Sequence, residues 1–169
     1  MLYIRKEVPE DYQSIFKVNA EAFEREVESR LVDSLRASQA LILSLVAELD
    51  GFIIGHIAFS EVTITSETCH KTSVGLAPVA VLPAFQKMGY GSKLVVTGLA
   101  MLSDNDYDAV FLMGHPEYYP RFGFVRASRF DIFWEHDYPD EAFMVKELKT
   151  GSLNGINGIL RFRPEFNER

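Results

Sequence analysis

Gln86-Lys87-Met88-Gly89-Tyr90-Gly91-Ser92 is the stretch whose reading decides the fold. The run before it, Val74 to Val81, is apolar and β-prone, and the run after it, Ser92 to Leu102, carries apolar residues at helical spacing. Two glycines one residue apart at a strand-to-helix junction let the backbone pass close to a ligand where a Cβ would obstruct it. The helix that starts at once points its unpaired N–H groups and positive dipole end into the same loop. Together these features make an anion cradle, most naturally for phosphate. The spacing excludes two common phosphate motifs. A dinucleotide fingerprint needs a third glycine three residues after Gly91, where this chain has Leu94, and a P-loop needs Gly-Lys-Ser/Thr where it has Gly91-Ser92-Lys93. A tight turn that binds nothing is the other reading of the same residues.

Working outward, the 169 residues suit a single domain, 1–169, with a sizeable core. The composition is 47% hydrophobic and 24% charged, ordinary for a globular protein. No apolar run approaches the ~20 residues that span a bilayer, and Met1 to Lys6 lacks the order of a signal peptide, so no membrane is expected. One cysteine, Cys69, excludes an internal disulfide and makes a reducing cytoplasm the default. A net charge of −7 argues against a nucleic-acid partner.

Leu2 to Arg5 reads as a first strand, and Pro9-Glu10-Asp11 opens a helix whose buried face is Tyr12, Ile15, Phe16, Asn19, Ala22 and Phe23. A second helix follows through Val27, Leu31 and Leu35, after a charged connection holding Glu24, Arg25, Glu26 and Glu28 that reads as a solvated charge run. Leu41 to Leu49 and Phe52 to Ile64 form a hairpin about Asp50-Gly51. His56 lies inside the apolar return strand and reads as a hydrogen-bonded structural residue rather than a catalyst. Cys69 and His70 are adjacent in an exposed turn without the three or four ligands of a metal site. Pro78 interrupts Val74 to Val81 and marks a bulge or an unpaired edge, because proline cannot donate to a ladder. Ala109 to Met113 is a further strand, followed by Gly114-His115-Pro116-Glu117-Tyr118-Tyr119-Pro120-Arg121-Phe122-Gly123-Phe124. Phe130 to Ala142 is aromatic and acidic, Phe143 to Leu148 is apolar, and Ile159 to Phe162 ends the strands.

Gln-x-x-Gly-x-Gly after Leu76-Ala77-Pro78-Val79-Ala80-Val81-Leu82-Pro83 resembles the acyl-CoA pyrophosphate loop of the GNAT N-acetyltransferase superfamily. Tyr119-x-x-x-Gly123-Phe124 is a second match, and the whole stretch from His115 is similar to the YhbS-like branch. The resemblance runs from about Leu2 to Phe166. It implies an α/β (α+β) fold: a mixed, mostly antiparallel sheet of about seven strands flanked by about four helices, splayed between strands 4 and 5.

The resemblance also implies a function, acetyl transfer from acetyl-CoA to an amine of a small molecule or peptide by direct attack in a ternary complex, with no metal. A non-amine acceptor, or a CoA-binding module without turnover, stays open, as does a homodimer. The cofactor contacts it implies are the backbone of Val79, Ala80 and Val81 and the loop Gln86, Lys87, Met88, Gly89, Tyr90, Gly91 and Ser92, with an amide near Val79 or Ala80 as oxyanion donor. It nominates Tyr119 as the acid toward the leaving thiolate, a role suited to a phenol of pKa about 10; the same tyrosine could equally be packed under the cofactor. For the base, His115 stands at the end of the fifth strand, where an imidazole with pKa about 6.5 fits the task, or else it caps the short helix beside Pro116. Glu61 and His136 are weaker candidates. The connection between the first two helices and the segment Phe130 to Glu141 border the acceptor site in this superfamily. Trp134, His136 and Tyr138, with Glu135, Asp137, Asp140 and Glu141, would then select a cationic acceptor through aromatic faces and a negative field. A solvated acidic loop with its aromatics in the core is the other reading.

Overall fold

The computed structural model describes residues 1–167. In chain order the elements are β1 (Leu2–Lys6), α1 (Tyr12–Phe23), α2 (Val27–Ala37), β2 (Leu41–Leu49), β3 (Phe52–Thr65), β4 (His70–Val81), α3 (Tyr90–Asp104), β5 (Ala109–Met113), β6 (Val125–Arg126), β7 (Ile132–Trp134), β8 (Phe143–Glu147) and β9 (Gly158–Phe162). The expected mixed, mostly antiparallel sheet is present, with nine strands and three α-helices among the described residues beside the about seven and about four expected. The difference lies in the second half. There β6 and β7 are strands of two and three residues, and the helical remainder consists of short 3-10 turns such as Tyr119–Phe122 and Pro164–Asn167. Prolines at or near the start of these turns fix φ for one turn, and none of the segments is long enough to continue.

β3 is the axis of the sheet. Its first half pairs β2 and its last four residues pair β9 on that same edge, while β4 runs antiparallel along the other. Asp50 and Gly51 both take positive φ (49° and 87°), the geometry that lets a two-residue turn match the twist of β2 and β3. The full order is β1-β2-β3-β4-β5-β8-β6, with β7 joined to β9. β5 pairs β4 in parallel only at Val74↔Val110 and Gly75↔Phe111. Beyond Gly75 the two strands part, and the β3–β4 register breaks between Ile57 and Phe59, opposite Pro78. The expected splay and the expected bulge are therefore one feature, centred on a residue with no amide to donate.

Both faces of the sheet are covered. On one, α3 places Leu94, Val95, Leu99 and Leu102 against Leu45, Ala47, Ile57 and Phe59. On the other, Ile15 of α1 and Val32 of α2 pack on Val46. Val18 rather than Phe16 completes the buried face of α1, and Tyr12 lies on the surface with the Arg36 guanidinium 3.9 Å above its ring. Beyond the splay, Phe111, Ile132, Val145 and Leu160 build a second core from β5, β7, β8 and β9. Among the described residues no helix is long and apolar enough to cross a membrane.

Candidate active site

The loop after β4 has the geometry its sequence implies. Lys87 (φ 63°) and Gly89 (φ 88°) both take the left-handed conformation, turning the chain so that α3 starts at Tyr90. The first helical bond runs from the Lys93 amide to the Gly89 carbonyl at 3.1 Å, and the amides of Met88 to Ser92 have no protein acceptor among the described residues. Gly91 has open space on its Cβ side, its nearest neighbours being Val81 Cγ2 at 3.8 Å and the Tyr118 hydroxyl at 3.9 Å. Five consecutive free donors at a helix start, flanked by exposed Lys87 and Lys93, fit a pyrophosphate. Gln86 serves the loop differently: its Nε2 donates to the Val81 carbonyl at 2.9 Å and ties the cradle to the end of β4.

That carbonyl is available because of strand alternation. Leu82 donates to the Ile54 carbonyl at 2.9 Å, so the amides of Leu82 and Ala80 face β3. Alternation then turns those of Val79 and Val81 toward the gap left by β5. Of the two amides expected as oxyanion donors, Val79 faces the gap and Ala80 does not.

The gap is a cavity of about 420 Å³ lined by Leu76, Ala77, Pro78 and Val79 on one wall and Met113, Gly114, His115 and Tyr119 on the other. The Cε2 and Cδ2 edge of the Tyr119 ring lies against Gly114, where a Cβ would fall 2.4 Å from Cε2, so glycine at this position is what admits the tyrosine. Burial, with Tyr118 beside it, pushes the Tyr119 hydroxyl up to about 12. It therefore keeps its proton at neutral pH. His115 is exposed at the cavity rim, and its carbonyl accepts the amides of Tyr118 (3.1 Å) and Tyr119 (3.4 Å). The backbone of His115 closes the turn and leaves its imidazole without a hydrogen-bond partner among the described residues.

Sequence reasoning passed over Tyr118. Its hydroxyl bonds Ser92 Oγ at 2.7 Å in the first turn of α3, and its ring meets Tyr119 edge-on at 5.0 Å. The Arg121 guanidinium covers it at 4.5 Å. Tyr118 is thus the direct link between the cradle and the Tyr119 wall. No motif marks it, because the pairing depends on the path of the turn and not on local spacing.

In the connection between α1 and α2 the charges of Glu24, Arg25 and Glu26 are exposed as a solvated run would be, and Glu28 alone is half-buried. Phe23, Arg25, Val27, Glu28 and Leu31 wall the same cavity, and Arg25 Nε donates to Glu28 at 2.9 Å. A second cavity of about 390 Å³ adjoins it, sharing Leu76, Ala77, Met113 and Phe166, and is lined further by Trp134, Glu135, His136, Tyr138 and Phe162. Trp134 and Tyr138 therefore line a cavity, Trp134 with one side against the second core. Trp134 meets His136 at 4.9 Å and Tyr138 at 5.3 Å, both edge-on. The expected negative field is not assembled there. Asp140 bonds Ser128 at 3.0 Å and faces Arg126 at 3.5 Å, and Glu141 lines a separate hollow. Glu135 does line the cavity but is held by Arg161 at 3.0 Å and His136 at 3.1 Å.

His56 sits fully buried away from both cavities, with Nδ1 3.1 Å from Asn19 Nδ2 and Nε2 2.8 Å from Ser44 Oγ. Glu61 is exposed on β3 and lines neither cavity. No group of three or more His, Cys, Asp or Glu that could hold a metal exists among the described residues, Cys69 and His70 included.

A splayed β4–β5 pair, a free-amide cradle at one end of the gap and a tyrosine wall on its far side define an acyl-CoA-type site. Residues 3–127 match the acetyltransferase (GNAT) domain family, and the chain belongs to it. It is 36% identical over 167 residues to the uncharacterized N-acetyltransferase YhbS of Escherichia coli K12, covering 98% of this chain and 99% of that protein. The crystal structure of E. coli YhbS in complex with CoA superposes with a TM-score of 0.92 at 36% identity, covering 98% of this chain and 92% of that one. A GNAT acetyltransferase from Brucella melitensis in complex with acetyl-CoA gives 0.82 at 37% identity, covering 98% of each chain.

Proposed function

We propose that the protein transfers the acetyl group of acetyl-CoA to a primary amine in a ternary complex. The observation that carries the reading is the parting of β4 and β5 beyond Gly75, with the free amides of Met88 to Ser92 at one end of the gap. The relatives solved with CoA and with acetyl-CoA support the choice of donor. The cradle amides hold the pyrophosphate, and Val79 and Val81 offer backbone groups to the pantetheine arm. The amide of Val79 donates to the thioester oxygen as negative charge develops there. The amine nitrogen attacks the carbonyl carbon, so a C–N bond forms and the C–S bond breaks. His115, at the rim, takes the amine proton directly or through one water. The Tyr119 hydroxyl donates to the departing sulfur. With its pKa raised to about 12 it is a weak acid, so its proton moves only as the C–S bond breaks and the thiolate forms.

The test is release of free thiol from acetyl-CoA across a panel of primary amines, with product mass confirming an added acetyl group. Acetyl-CoA binding without thiol release on any amine or alcohol would leave a CoA-binding module in place of an enzyme.

A further inference from the structure

The two adjoining cavities on the α1/α2 side of the sheet carry charges that are already closed on one another. At one end Arg25 donates to Glu28 at 2.9 Å. At the other Glu135 is held between Arg161 at 3.0 Å and His136 at 3.1 Å. Among the described residues no lysine lines either cavity, and no acid other than Glu28 and Glu135 does. A second ammonium or a carboxylate on the acceptor therefore meets carboxylates and guanidinium groups already neutralised by a neighbour, with no uncompensated charge to attract it. What the groove offers freely is apolar surface. Leu76, Met113, Phe162 and Phe166 continue the reaction cleft into a chamber walled by Trp134 and by Tyr138, which is 49% exposed.

We propose, resting on the acetyl-transfer reading above, that the acceptor is a primary amine whose body is uncharged and apolar. Its alkyl or aryl group occupies the Trp134 chamber while its nitrogen faces the β4–β5 gap. The shared residues Leu76, Ala77, Met113 and Phe166 make this one continuous path, so a single small molecule spans both cavities. Apolar burial sets the recognition, so reactivity rises with chain length until the chamber is filled, by up to about fourfold per methylene.

The experiment compares kcat/KM for the n-alkylamines from ethylamine to hexylamine, for 2-phenylethylamine, and for two charged counterparts, 1,4-diaminobutane and free phenylalanine. The expected result is a rise along the alkyl series, with pentylamine favoured over 1,4-diaminobutane, and 2-phenylethylamine over phenylalanine, by at least tenfold. Equal values within either pair, or preference for the charged member, would overturn the proposal and leave acetyl transfer standing. Trp134 is the sole tryptophan, so its emission reports the chamber without turnover. Hexylamine added to the CoA complex should shift that emission saturably, and 1,4-diaminobutane at the same concentration should not. A hexylamine shift without thiol release from any amine would keep the apolar seat and reject the transfer reading. The apolar group could instead belong to the donor, and hexanoyl-CoA tests this. An emission shift with hexanoyl-CoA and none with hexylamine would assign the chamber to the acyl chain and overturn the proposal. Tyr138→Ala alters an exposed side chain and keeps the reporter. It should shrink the pentylamine-to-diaminobutane ratio at least threefold, and an unchanged ratio counts against the seat.

Discussion

Tyr118 and Tyr119 are neighbours in sequence with opposite tasks, and each can be removed as a single hydroxyl. Tyr119 faces the β4–β5 gap with its hydroxyl raised to about 12 by burial. Tyr119→Phe keeps the ring over Gly114 and deletes only the donor, so turnover should fall ~10²–10⁴-fold while the Kd for CoA stays within about twofold. Native turnover in this variant would make the tyrosine a packing residue. Tyr118→Phe instead breaks the 2.7 Å bond to Ser92 and leaves the edge-on contact with Tyr119 in place. A neutral hydrogen bond of about 0.5–1.5 kcal/mol corresponds to roughly a two- to twelvefold weaker Kd for CoA, with kcat little changed. Calorimetry for CoA beside steady-state kinetics separates the two cases. Reversed effects, with kcat lost at Tyr118 and affinity lost at Tyr119, would exchange the roles.

The decisive element is the junction of β4 and α3, and its function rests on what glycine leaves open. Gly89 adopts φ 88° and cannot be replaced without strain, whereas Gly91 has ordinary helical φ and no contact under 3.8 Å. Gly91→Val is therefore the cleaner probe. It should fold, with its melting temperature within a few degrees of the native value, and should weaken CoA binding by more than tenfold, because the branched side chain projects toward Val81 and Tyr118 beside the free amides. Unchanged CoA affinity by calorimetry would reject the cradle. This element was legible in the sequence because glycine spacing, helix start and Pro78 are all local signals. So was the Asp50-Gly51 hairpin. The α1–α2 connection is as exposed as its charges suggest at Glu24, Arg25 and Glu26, but only the tertiary path brings Arg25 and the half-buried Glu28 to the rim of the cleft. Trp134, Glu135 and Tyr138 line the second cavity, while Asp140 and Glu141 do not. Asp140 and Glu141 sit where a 3-10 turn at 140–142 swings them away from the chamber, and Glu135 finds its partner Arg161 on β9, far along the chain. Such pairings are long-range and leave no local pattern.

At the scale of the whole molecule, one largely buried polar chain ties the residue after the first strand, both N-terminal helices and the centre of the sheet together. Asn19 of α1 donates to His56 Nδ1 on β3, and His56 Nε2 meets Ser44 of β2. Ser44 Oγ in turn donates to Glu7, which is paired with Arg36 of α2 at 2.7 Å. Asn19 Nδ2 also donates to the Ile15 carbonyl at 3.0 Å, so both its hydrogens are used and Nδ1 of His56 must accept. A proton on Nδ1 would set donor against donor. Burial, with Arg36 adding and Glu7 opposing, lowers His56 to about 4 from its ordinary 6.5. The unfolded chain therefore takes up a proton below about 6.5 that the native protein refuses until about 4. Stability should be flat in this respect above 6.5, fall as pH drops from 6.5 to 4, and level off once both states are protonated. At 1.36 kcal/mol per unit the full loss is on the order of 3 kcal/mol. Glu7 acts lower: burial opposes its ionisation, but its bonds from Arg36 and Ser44 outweigh that and hold it below its ordinary range. Its contribution is present above the ordinary carboxylate pKa and is lost only as pH falls further. The measurement is the urea midpoint against pH for the native protein and for His56→Gln, which keeps a donor and an acceptor but does not titrate. The variant should be less stable at pH 7 yet lose most of the slope between 6.5 and 4.5. An equal slope in both proteins would mean that other groups, and not the buried histidine, set the acid limit of the fold.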